Sequence, residues 1–162
     1  MDYQQFIAWL GATPLSEWLK EVTWVVPTVQ SIHILGIGVV LSCSVIIALR
    51  LFGVNARHLH ILTLNDRLLP ATWWALLVLA ITGATLIVAE PTRTLNNPYF
   101  FAKMGCLVAL IPLARAFQLN VRKRPNYWAT ERAPSPAVLP AVGLGMVLLI
   151  VIVLCGRWIA YA

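Results

Sequence analysis

PTVQSIHILGIGVVLSCSVIIALRLFG, residues 27–53, is apolar almost from end to end, with one histidine, His33, inside it. The charge-poor run around it extends from Glu21 to Arg50. That is long enough to cross a bilayer as a helix, which takes about 20 apolar residues. Three more runs repeat the pattern. They lie between Arg67 and Glu90, between Arg93 and Arg115 (with Lys103 inside), and between Arg132 and Arg157.

Composition agrees with this reading. Of 162 residues, 60% are hydrophobic and 11% charged, with a mean hydropathy of +0.80. Soluble domains carry about 25% charged residues, and so short a chain cannot enclose this much apolar surface in water. The expected fold is all-α: an integral membrane four-helix bundle with an N-terminal amphipathic interfacial helix. We place the interfacial helix in residues 1–21 and the spans at about 24–50, 68–90, 98–119 and 136–158, in a single membrane domain. The N-terminus lacks a basic leader segment, and Asp2 has the wrong sign for one, so the apolar runs are expected to be retained.

Several helix starts are visible. Asn97 can cap the third span with Pro98 at its first position, and Ser135 and Pro136 can do the same for the fourth. Pro70 is expected just inside the second span. Pro112 falls within the third and is expected to kink it unless neighbours satisfy the freed carbonyl. Near the N-terminus, Phe6, Trp9 and Leu10 follow helical spacing, and TPLSEWL restarts a helix with Thr13 as cap. Trp9, Trp18 and Trp24 suit the headgroup layer. Small residues four apart, such as Gly38 and Ser42 or Ala141 and Gly145, allow helices to approach closely. No internal repeat is evident.

The net charge of +6 points to no nucleic acid, because the basic residues stand at span ends. Loops 54–67 and 120–135 are the basic ones, so the positive-inside rule makes them cytoplasmic and both termini periplasmic. Arg50, Arg67 and Arg115 approach that cytoplasmic interface. Arg122, Lys123 and Arg124 set topology and meet anionic lipid. Cys43, Cys106 and Cys155 lie within apolar runs as packing residues, and no CxxC is present.

Chemistry has few places to sit. At about 1.5 Å per residue, His33 lies roughly 9 Å along the first span and Lys103 about 8 Å along the third, from the same side. Gln30 shares the face of His33, while Glu90 and Arg157 close the second and fourth spans there. Gln30, His33, Glu90, Lys103 and Arg157 thus form a candidate polar cluster. His33 can ligate haem b, bind a quinone or relay protons, or it can make one interhelical hydrogen bond. Lys103 can hold an anionic headgroup or pair with Glu90, or it can snorkel. The other spans hold no histidine, so haem on His33 needs Met104, Lys103, an open position or a second subunit. His58 and His60 lie in the first loop, across the membrane from His33, and with Asp66 make no metal site. No catalytic triad, phosphate loop or acidic metal cluster is present.

HILGIGVVLSCSVIIALRLFG, RLLPATWWALLVLAITG and NPYFFAKMGCLVAL together resemble an uncharacterised family of small bacterial inner-membrane proteins with four helices. The resemblance rests on His33, Leu35 and Gly36; on Arg50 and Gly53; on Arg67 and Pro70; and on Asn97, Pro98, Phe100 and Lys103. It implies the fold but no activity. Ala48 stands where an acidic residue often precedes the Leu-Arg pair, so an inner-side Asp–Arg pair is absent.

The expected role is a non-catalytic multi-pass subunit or accessory of a larger membrane assembly, one handling electrons. The bilayer and either other membrane subunits or further copies of the chain are the partners. A small haem b- or quinone-binding electron carrier using His33 and Lys103 is the alternative, and a small transporter the third reading.

Overall fold

The computed structural model describes residues 2–53, 60–129, 138–159 and 161. All regular structure among them is helical: α1 (Tyr3–Gly11), α2 (Pro14–Glu21), α3 (Val25–Leu51), α4 (Ile61–Ala89), α5 (Pro91–Leu95), α6 (Pro98–Lys123), α7 (Pro125–Ala129) and α8 (Val138–Trp158). Four of these, α3, α4, α6 and α8, are long and apolar enough to cross a membrane. His58, Ser135 and Pro136 lie outside the described residues.

The caps follow local chemistry. Asp2 and Gln5 form a capping box on α1. The Thr13 hydroxyl accepts from the Ser16 amide, with Pro14 opening α2. Asn97 Oδ1 accepts from the Tyr99 amide, with Pro98 opening α6. Gly53 follows the end of α3 with φ 70°, a left-handed conformation that glycine adopts without Cβ strain.

Two boundaries differ from expectation. The second transmembrane helix starts at Ile61 rather than near 68, so it carries Asp66 and Arg67 within it and places Pro70 well inside. Charges end a hydrocarbon span, but they do not end a helix that continues into the interface. Likewise α6 runs through Pro112 and on to Lys123. A proline can sit inside a membrane helix when nearby groups satisfy the carbonyl it frees.

The long helices pack as two antiparallel pairs, α3 with α4 and α6 with α8, joined more thinly through α3–α8 and α4–α6. Three apolar clusters stack along the bundle. Leu19, Val25 and Ala89 close one end. Val40, Ala75 and Leu149 fill the middle, with Leu110 and Met146 against them. Leu51, Ile61, Val121 and Trp128 close the other end, beneath α7. At the α5 end, α1 is docked by the Tyr3 hydroxyl on the Leu95 carbonyl at 2.6 Å and by Gln4 on Asn96 at 3.2 Å. Trp9, Trp18 and Trp24 stay exposed there.

Candidate functional site

His33 is positioned by glycine. A Cβ on Gly36, one turn on, would stand 3.1 Å from Leu79 Cδ2, so glycine lets α3 lie this close to α4 without displacing the Leu79 side chain. A Cβ on Gly83 would stand 3.5 Å from His33 Cε1, so the imidazole rests against the bare backbone of α4. Gly38 and Ser42, the pair expected to bring helices together, instead line a shallow groove on the outer side of α3, and a Cβ on Gly38 would meet nothing within 4 Å.

The hydrogen bonding favours one tautomer. His33 Nδ1 and Thr82 Oγ1 are 2.7 Å apart. Thr82 Oγ1 is also 2.7 Å from the Val78 carbonyl, which can only accept. The single hydroxyl proton therefore goes to Val78, and Thr82 accepts from His33 Nδ1–H. In the neutral ring this leaves Nε2 with its lone pair.

Lys103, from α6, packs toward α8. Its Nζ lies 3.7 Å from where a Cβ on Gly156 would be, so Gly156 leaves room for the ammonium against α8. Two polar contacts thus sit within the spans: His33 with Thr82 between α3 and α4, and Lys103 of α6 against Gly156 of α8. No carboxylate is within salt-bridge distance of Lys103 among the described residues.

The other expected cluster members lie elsewhere. Glu90 pairs with Arg93 at 3.0 Å, both about half exposed. Arg157 stacks over the Tyr161 ring at 4.8 Å. Gln30 is exposed, and Met104, 43% exposed, faces outward. At the α7 end, Arg115 stands 5.9 Å over the Trp73 ring. Arg67, Arg122, Lys123 and Arg124 are exposed there, and Arg50 is partly buried. His60 is exposed, just before α4.

Thr82, Gly83 and Gly156 were not anticipated as site residues. The one signal for the first pair is the Thr-Gly dipeptide breaking an apolar run in LAITGATL. Its link to His33 depends on how α3 and α4 align.

Four helices long and apolar enough to span a bilayer mark this as a multi-pass helical membrane protein. The chain belongs to a family of unknown function, DUF6644, whose model matches residues 6–162. No curated protein and no solved structure matches it.

Proposed function

We propose that the chain is a non-catalytic subunit of a larger bacterial inner-membrane assembly, one that handles electrons, and that its partner supplies the counter-charge for Lys103. The carrying observation is that ammonium. An ionisable group within a span usually faces a partner charge or a cavity, and the described residues offer Lys103 no carboxylate. Its helix is also open. None of the most apolar stretch of α6 is buried within the chain. The basic α7 end supports the cytoplasmic side there and periplasmic termini at the α5 end, where Glu90 offsets Arg93.

Placing a photo-crosslinking lysine analogue at position 103 in living cells tests this. A specific adduct to a second membrane polypeptide is expected. Adducts to lipid alone, or to another copy of the chain alone, would overturn it.

A second reading has its own support. Because Thr82 holds Nδ1 as a donor, His33 Nε2 is kept in the form that ligates iron or accepts a proton from a quinol. A haem b- or quinone-binding electron carrier would use that atom, with Lys103 beside it.

A further inference from the structure

The α7 half of the bundle contains a further polar feature, separate from the His33–Thr82 contact and from Lys103. A cavity of about 360 Å³ opens between the two helix pairs, within the roughly 300–1,000 Å³ typical of small-molecule sites. Leu110, Leu113, Phe117, Val142 and Met146 supply apolar wall. Asn65 from α4 also lines it. Asn65 is only 3% exposed, and its Nδ2 has no hydrogen-bond partner. An unsatisfied buried amide is a cost the fold would not bear without return, since an apolar residue of the same shape would remove it.

The remaining polar lining narrows the occupant. The Thr72 hydroxyl donates to the Leu68 carbonyl at 2.9 Å. Asn120 Oδ1 already accepts from Trp128 Nε1 at 3.3 Å. Gln118 Oε1 faces Arg115 Nη1 at 3.5 Å. Ser44 adds a hydroxyl, and the amide N–H groups of Gln118 and Asn120 add further donors, but Asn65 Nδ2 is the lining donor that is fully buried with no partner among the described residues; none of the lining side chains is charged. A neutral, mostly apolar molecule with an acceptor oxygen fits these terms. The cavity lies where the two helix pairs meet thinly, so a hydrocarbon-soluble molecule can enter from the bilayer.

We infer that this cavity binds a neutral lipid-soluble carbonyl compound, whose oxygen accepts from Asn65 Nδ2. A quinone ring and a lipid ester both present that chemistry.

The test is thermal unfolding of the whole chain in mild detergent, titrated with a decyl-substituted benzoquinone and, separately, with dioleoylglycerol. A saturable rise in Tm with at least one of them is expected, and the one that acts identifies the source. Asn65→Leu should weaken the apparent affinity about tenfold, as expected when a buried hydrogen bond is lost. It should unfold no earlier than the parent when no ligand is added. Ala141→Phe, which fills the cavity, should abolish the shift; if it does not fold, Asn65→Leu decides alone. No shift with either compound would overturn the inference. So would a shift that Asn65→Leu leaves unchanged.

Discussion

The contact between His33 and Thr82 lends itself to a double-mutant cycle. Thr82→Val keeps the shape of the side chain and removes the acceptor for His33 Nδ1–H. Val78 keeps its backbone partner in the helix, so the main loss is the 2.7 Å bond across α3 and α4. Thr82 is 8% exposed, and water has little access to replace it. Interhelical hydrogen bonds in membranes average about 0.6 kcal/mol and reach about 1.7 kcal/mol. A short bond at a buried site belongs in the upper half of that range, so about 1 kcal/mol of coupling is expected. The two single variants should also differ. Thr82→Val leaves a donor unsatisfied and should cost about 1–2 kcal/mol. In His33→Leu the Thr82 hydroxyl still donates to Val78, so no donor is stranded and the cost should be smaller. Reversible unfolding in mixed detergent micelles, titrated with a denaturing detergent, measures all four corners of the cycle. Coupling below about 0.3 kcal/mol, within the usual error of additivity, would refute the assigned bond, and a His33→Leu cost as large as that of Thr82→Val would refute the tautomer.

Further outcomes follow from packing and from the free ring nitrogen. Gly36→Leu should force α3 away from Leu79 and cost about 1–3 kcal/mol, while Gly38→Leu, in open space, should stay within about 0.5 kcal/mol; the same unfolding assay separates them. Trp128→Ala should cost about 3–5 kcal/mol, because the ring is 5% exposed and packs edge-on against Phe117 and Tyr127. His33→Ala should insert as the parent does, judged by membrane fractionation. The purified parent should show no haem band in a reduced-minus-oxidised visible spectrum; a sharp band lost in His33→Ala would put the electron-carrier reading in place of the first.

What was legible in the sequence was local. An apolar run declares a span because the bilayer fixes its length, and Thr13 and Asn97 declare helix starts through atoms two or three residues away. The positions of His33 and Lys103 along their own helices were countable for the same reason. Register between helices was not. Nothing near His33 points to Thr82, and nothing near Lys103 points to Gly156. Gly36 and Gly38 look alike in the chain, yet one is closed by Leu79 and the other faces outward. Glu90 looked available at the end of a span, but Arg93, one turn on, takes it. The cavity beside Asn65 was invisible because its walls come from four separate segments, and the missing partner of an amide shows only after every neighbour is placed.

The most direct test of the central claim is native mass spectrometry of the chain released from its own membrane in polymer-bound lipid discs, without exposure to detergent. The account predicts a species heavier than the 17.9 kDa chain by the mass of a second membrane polypeptide, and the loss of that species in Lys103→Gln. The bare chain, a homo-oligomer alone, or a hetero-complex that survives Lys103→Gln unchanged would contradict it.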